Sequence, residues 1–207
     1  MENVLVAGAN GTTGRIIINL LKESDRYMPI AMVRKAEQKE AFEKEQVSSV
    51  LADLEDDISP ALKNIDKVIF AAGSKGKNVI GVDQEGAKKL TEAAQAAGVE
   101  KLVMLSTMGA DDPSISSELE DYLKAKQNAD EHLKASGLNY SIVRPGSLNN
   151  EEGSGKIQLA KSLGKHGQIS RADVAKTIVS ALDENRMKNQ TFEILAGDTP
   201  IEEATLS

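Results

Sequence analysis

Short apolar runs alternate with helix-spaced apolar positions along the whole chain. Residues 4–7 are uninterrupted Val-Leu-Val-Ala, which suits a strand buried on both faces. After a polar, glycine-bearing stretch, Ile16, Ile17, Leu20 and Leu21 recur at helical spacing. Runs at 30–33, 49–51, 68–72, 102–106, 140–143 and 190–195 read as further strands. Helix-patterned segments at 36–46, 82–97, 117–137 and 170–182 separate them. In one of these, Val82, Ala87, Leu90, Ala94 and Ala97 share a face, and Gly98 is a natural terminator. Ser117 with Glu120, and Ser170 with Asp173, have capping-box spacing. Residues 109–116 and 149–155 are polar and read as mobile surface loops.

Strand–helix alternation predicts an α/β fold: a doubly wound, mostly parallel Rossmann sheet with helices on both faces. Right-handed crossovers then put ligands at the carboxyl ends of the strands. The 207 residues suit one domain. Its substrate region is expected to be minimal, formed by loops near 109–116 and 147–170.

Composition narrows the function. No apolar run approaches the ~18 residues of a membrane span, and no basic segment followed by an apolar stretch opens the chain. A cytoplasmic location is the default. With no cysteine, and only the lone His132 and His166, no metal site is expected. A net charge of −7 argues against nucleic acid or anionic membrane as partner. The expected partner is a small-molecule substrate, and the chain should act as a monomer or homodimer.

The first strand runs directly into Gly8-Ala9-Asn10-Gly11-Thr12-Thr13-Gly14-Arg15 and then a helix. A helix start offers unpaired N–H groups and a partial positive charge, both suited to a phosphate. Glycines let backbone approach a pyrophosphate and let the helix pack on the strand. After the second strand comes Arg34-Lys35, where an NAD-binding fold usually has an acid for the ribose hydroxyls. A cation there suits the 2′-phosphate of NADP; a plain solvated arginine is the alternative.

After the fifth strand come Ser106 and then, on one helix, Tyr122 and Lys126. Spacing of four puts Tyr122 and Lys126 on one face. A neighbouring lysine should lower the tyrosine pKa, making it a proton donor or acceptor at a substrate oxygen. Ser106 could bond the same oxygen. The Tyr–Lys spacing also arises by accident in a lysine-rich chain, so surface decoration is the rival reading.

Together these residues resemble the short-chain dehydrogenase/reductases, in their atypical branch of small NAD(P)-dependent epimerase/dehydratase-like proteins. The likeness also rests on residues 82–87, 105–107, 122–133, 136–138, 142–146 and 170–175. It implies that Gly8, Asn10, Gly11, Thr12 and Thr13 hold a pyrophosphate, with Gly14 completing the turn. Arg34 would meet the 2′-phosphate, and Asp53 and Leu54 would border the adenine. Ala71, Ala72 and Gly73 would lie by the nicotinamide ribose, whose hydroxyls Lys126 would reach. Pro145, Gly146, Ser147 and Leu148 would back the nicotinamide. The family's Asn-Ser-Tyr-Lys tetrad would map to Asp83, Ser106, Tyr122 and Lys126, with Asp83 a departure.

Two functions follow. One is an NADP-dependent oxidoreductase acting on a small carbonyl, quinone or flavin-like substrate, or a related epimerase/dehydratase. The other is a non-catalytic NADP-binding redox sensor or regulatory protein.

Overall fold

The computed structural model describes residues 1–74 and 76–206. In chain order the main elements begin with strand β1 (Glu2–Ala7), helix α1 (Thr12–Lys22), β2 (Tyr27–Val33), α2 (Ala36–Lys44), β3 (Ser48–Leu51) and β4 (Lys67–Phe70). A π-helix (Val79–Gly86) leads into α3 (Ala87–Ala96), followed by β5 (Lys101–Leu105), α4 (Glu120–Ala135) and β6 (Asn139–Pro145). The rest is β7 (Ser147–Asn149), β8 (Lys156–Ala160), β9 (Gln168–Ser170), α5 (Arg171–Ser180), β10 (Gln190–Ala196), β11 (Thr199–Pro200) and α6 (Ile201–Ala204).

Nine strands form one sheet in the order β11-β8-β10-β6-β5-β4-β1-β2-β3. All pairs from β10 to β3 are parallel. Strand order reverses at β1, which lies between β2 and β4, and this reversal opens a crevice at the carboxyl ends. Alternation along β1 divides the core. Val4 and Val6 pack with Ile17, Leu21, Phe42, Val174 and Ile178 on one face of the sheet. Leu5 and Ala7 pack with Leu90, Ala94, Ala129 and Leu133 on the other. The doubly wound α/β expectation is thus borne out.

Several boundaries differ from the sequence pattern. β4 stops at Phe70 although Ala71 and Ala72 continue the apolar run. The apolar segment from Val82 is not one α-helix but the end of the π-helix joined to α3. Gly98 does terminate it, at φ +72°. The box at Ser117 and Glu120 does not form. A turn in which the Leu119 N–H bonds the Ser116 carbonyl, at 3.2 Å, makes Leu119 the cap residue. The second box does form: the Asp173 N–H donates to Ser170 Oγ at 3.0 Å, and Ser170 Oγ to Asp173 Oδ2 at 2.9 Å.

The region 147–170 is not only loop. β7 and β9 pair in a small parallel sheet, and β8 joins β10 antiparallel. β8 covers the edge that β10 would otherwise leave unpaired. Among the described residues, no helix is long and apolar enough to cross a membrane.

Candidate active site

The Gly-rich turn owes its shape to contacts that leave no room for side chains. Gly8 ends β1 at φ +87°, and a Cβ there would lie 2.5 Å from the Ala72 nitrogen. The chain after β4 therefore presses on the turn, with the Ala71 N–H on the Ala7 carbonyl at 2.9 Å. A Cβ on Gly14 would lie 2.1 Å from the Gly8 carbonyl oxygen. The Gly11 N–H closes the loop onto that same oxygen at 2.9 Å.

Gly11 is the cap residue of α1, with extended backbone and no side-chain cap, and the first turn carries no acid. The first N–H groups of the helix, from Thr12 and Thr13 onward, are thus free to bind an anion. Exposed Asn10 accepts from Arg15 Nη2 at 2.9 Å. Arg15 itself lies 4.0 Å over the Phe42 ring and pairs with Glu45 at 2.8 Å. Exposed Arg34 follows β2 directly. Lys35 pairs with Glu37 at 3.7 Å, whereas Arg34 forms no salt bridge to a described residue. Asp53 holds the Glu55 N–H at 3.1 Å, and buried Leu54 packs under Gly86, where a Cβ would lie 2.9 Å from its own. An uncapped helix start, a turn that admits only backbone and an unpaired cation fit the phosphates of a dinucleotide.

α4 carries Tyr122, Lys126 and Asp130 at successive intervals of four. Lys126 is 4% exposed. Its Nζ donates to the Leu105 carbonyl at 3.2 Å and lies 3.7 Å from Asp83 Oδ1. It also lies 5.7 Å from the centre of the Phe70 ring and 5.8 Å from that of Tyr122. Asp83 comes from the π-helix, a distortion common at functional sites. Its Oδ2 accepts from Ser74 N–H at 3.0 Å and Ser74 Oγ at 2.7 Å. Gly73 borders this carboxylate, 3.4 Å from where its Cβ would be.

The fold therefore brings Asp83, Tyr122 and Lys126 together, but with electrostatics opposite to the sequence expectation. Burial, then the charges of Asp83 and Asp130, push the Tyr122 phenol up to about 12. Burial pulls the Lys126 ammonium below its usual range, against the opposing pull of the two carboxylates. Lys126 is engaged with acids and with Leu105, so it does not lower the tyrosine.

Ser106 is buried, and its hydroxyl donates to Asp130 Oδ2 at 2.9 Å. Arg144 donates to the same oxygen from Nε at 3.0 Å and forms an ion pair with it through Nη2 at 2.9 Å. Its Nη1 lies 3.3 Å from Asp111 Oδ1 on the 109–116 loop. Asp130 Oδ1 is buried without a hydrogen-bond partner among the described residues, and burial raises the Asp130 pKa. Sequence reasoning gave Asp130 and Arg144 no role. The available signals were the repeat of four after Lys126 and the place of Arg144 at the end of β6.

Pro145 is buried at the end of β6, and its carbonyl accepts from Met108 N–H at 3.0 Å. Gly146 is wedged, since a Cβ there would lie 2.4 Å from Leu195 Cδ2 and 2.5 Å from the Gly167 carbonyl. Ser147 and Leu148 lie in β7. A hollow of ≈ 480 Å³ lies away from all these residues, lined by Arg26, Tyr27, Lys176 and Arg186 among others.

A family model described as NAD(P)H-binding matches residues 8–185. A Bacillus subtilis protein designated an uncharacterized sugar epimerase, YhfK, is 43% identical, with 97% of each chain covered. Sanguinarine reductase of Eschscholzia californica is 27% identical over 98% of this chain and 92% of its own. A solved structure designated an NAD-dependent epimerase/dehydratase, from Bacillus halodurans, superposes with a TM-score of 0.94 at 39% identity, covering 99% of both chains.

Proposed function

Because the chain belongs to the NAD(P)H-binding family, we propose that it is an NADPH-dependent reductase of a small carbonyl, quinone or flavin-like substrate. The observation that carries this reading is the position of Tyr122 beside Lys126, 5.8 Å from its ring centre, with the phenol pKa pushed up to about 12 by burial and then by Asp83 and Asp130. A neutral phenol gives a proton to an oxygen that gains negative charge.

When bound, the dinucleotide supplies the hydride. In this reading the 8–14 turn holds the pyrophosphate, and Arg34 holds the 2′-phosphate by charge-assisted bonds. Lys126 donates to ribose hydroxyls, and residues 145–148 back the nicotinamide. The exposed Ile80 and Ile115 lie on segments that pack against α4, exposed Leu119 caps that helix, and the three suit a substrate with an apolar body. A relative named as a reductase agrees with the direction of the chemistry. The substrate is a small molecule, and the protein works as a monomer or homodimer.

One observation favours the rival sensor reading: Ser106 is closed in and its proton is already committed to Asp130. Following NADPH oxidation with a panel of ketones, quinones and flavins separates the two. Turnover of any panel member supports the reductase. Tight NADPH binding without turnover across the panel supports the sensor.

A further inference from the structure

We propose that the hollow between α1, α5 and α6 is a second ligand site, which takes a small monocarboxylate with an apolar body. It stands apart from the dinucleotide crevice. Tyr27, which lines the hollow, opens β2, whereas Arg34 follows the carboxyl end of that strand. The seven residues of β2 keep the two about 20 Å apart.

Size and walls suit a small molecule. At ≈ 480 Å³ the hollow falls within the range of ligand pockets. Leu20 from α1, Val179 from α5, and Pro200 and Ile201 beside α6 give it apolar walls.

The charges select an anion. Asp183 and Glu202 line the hollow, but each is already engaged by an arginine that lines it too. Arg26 Nη1 pairs with Asp183, and Arg186 Nη2 pairs with Glu202 Oε2 at 3.0 Å. Lys176 is exposed on α5 and forms no salt bridge to a described residue. Its ammonium is thus the charge that the lining leaves uncompensated.

The neutral polar groups offer protons as well. Ser24 Oγ accepts from the N–H groups of Arg26 at 3.1 Å and Tyr27 at 3.3 Å. A hydroxyl has two lone pairs and one proton. Both lone pairs of Ser24 are taken, so its proton is what it has left for a ligand. Tyr27 is 6% exposed, and its hydroxyl makes no hydrogen bond to a described residue. A buried phenol without a partner is costly, and the hollow it lines is where a partner can enter. Burial pushes that phenol up to about 12, so it keeps its proton. One free ammonium and two hydroxyl donors, set among apolar walls, match two oxygens that share one charge. A phosphate brings more charge than a single lysine balances. An amine would meet Lys176 and find both acids occupied.

The test follows phenylbutyrate binding to the isotope-labelled full chain by amide chemical shifts, with NADPH at saturation so that the crevice stays filled. Saturable shifts at Ser24, Tyr27, Lys176 and Ile201 are expected, with a dissociation constant of about 1 mM or tighter. Phenylbutyramide, which keeps the shape and loses the charge, should bind about ten-fold more weakly. Lys176→Met should weaken the acid by about ten-fold and leave the amide unchanged, while Lys176→Arg should keep both. Tyr27→Phe should weaken the acid by roughly two- to ten-fold. Should that variant not fold, the two Lys176 variants still decide. Shifts that do not saturate, or that are equal in Lys176→Met, overturn the inference. An amide that binds as tightly as the acid overturns it too. Loss of phenylbutyrate on addition of NADPH would put the acid in the crevice and overturn it. Self-association that weakens in Lys176→Met, followed by sedimentation, would make the occupant a second copy of the chain and overturn it as well. None of these outcomes bears on the reductase reading, which the acceptor panel tests by itself.

Discussion

Asp83 Oδ1 lies 3.7 Å from Lys126 Nζ, with both residues almost wholly withdrawn from water. The lysine needs that carboxylate, because a buried ammonium without a counter-charge is strongly penalised. Asp83 also ties the loop after β4 to the site through the Ser74 N–H and hydroxyl. Asparagine at this position would keep one acceptor and lose the charge. Asp83→Asn should therefore destabilise the apo protein by roughly 3 kcal/mol or more, the usual cost of breaking a buried pair. At about 2–4 °C per kcal/mol for a chain of this size, thermal melting should show a fall of about 6 °C or more. The double variant Asp83→Asn/Lys126→Met should recover most of the loss. Additive losses in the double variant would mean that the pair is not coupled.

The turn gives a sharper steric prediction. A Cβ on Gly14 would lie 2.1 Å from the Gly8 carbonyl, and a rigid backbone oxygen cannot step aside as a side chain does. Either the helix moves away from β1 or the turn opens. Gly14→Ala should cost about 3 kcal/mol, at the upper end of overpacking, and should weaken nucleotide binding at least ten-fold. Gly98→Ala is the control. It is strained at φ +72° but meets nothing, so it should lose only about 1 kcal/mol and bind nucleotide normally.

The sheet and the turn were legible because their signals are local. Val4 to Ala7, the three glycines and the Ile16 to Leu21 stripe each state their own structure, and Ser170 with Asp173 caps α5 from within four residues. The strands of region 147–170 were not legible. β8 is held by pairing with β10, which lies far along the chain, so its short pattern alone says little. The site was half legible for the same reason. Spacing placed Tyr122 and Lys126 on one face. Nothing in the spacing revealed that Asp83 and Asp130 surround the lysine, which reverses the expected effect on the tyrosine. Arg144 is joined to Asp130 only when β6 packs beside α4.

Arg34 should set the choice of nucleotide. It stands exposed after β2 without a salt bridge to a described residue, so a 2′-phosphate need displace no counter-ion. One charged hydrogen bond of about 1.5–3 kcal/mol gives NADPH a roughly ten- to hundred-fold advantage over NADH. Fluorescence titration of both nucleotides measures this. Arg34→Ala should erase most of the difference by weakening NADPH alone, and raised salt should narrow it. Equal affinities in the wild type would remove Arg34 from the site.

The two polar loops should behave differently in hydrogen exchange. Residues 109–116 are tied to the body by buried Ala110, by Asp111 with Arg144 at 3.3 Å and by Gln127 Nε2 on the Asp111 carbonyl at 3.2 Å, and the Asp111 side chain is itself exposed. The other loop is anchored at both ends. Ser147 to Asn149 pair with β9, and the buried Asp173 carboxylate holds the Ser154 N–H at 3.0 Å and the Gly155 N–H at 2.8 Å. In the apo protein, amides of 109–116 and 150–153 should exchange fast, while 148, 154 and 155 are protected. Asp111→Ala should speed exchange at 109–116 and leave 154–155 unchanged. Uniform protection of 109–116 without ligand would contradict this.

Tyr122 provides the pH test of the reductase reading. A general acid must be protonated to act. With its pKa pushed up to about 12 by burial and two carboxylates, the protonated fraction of Tyr122 is essentially complete at every pH from 6 to 10. As pH rises, that fraction falls only on approach to 12. A profile of kcat for ketone reduction should therefore show no alkaline limb from Tyr122 below about pH 10. A tyrosine lowered by its lysine would instead give a limb near neutrality. Tyr122→Phe should reduce kcat by roughly 10² to 10⁴ while NADPH affinity stays within about two-fold, since only the substrate oxygen uses the phenol proton. Asp83→Asn removes one of the lesser charges that raise Tyr122 while burial, the largest cause, remains, so the profile should stay flat below about pH 10 in that variant too. An alkaline limb near neutral pH in the wild type that disappears in Tyr122→Phe would show the tyrosine titrating there. Ketone turnover untouched by Tyr122→Phe would mean that the proton comes from another group.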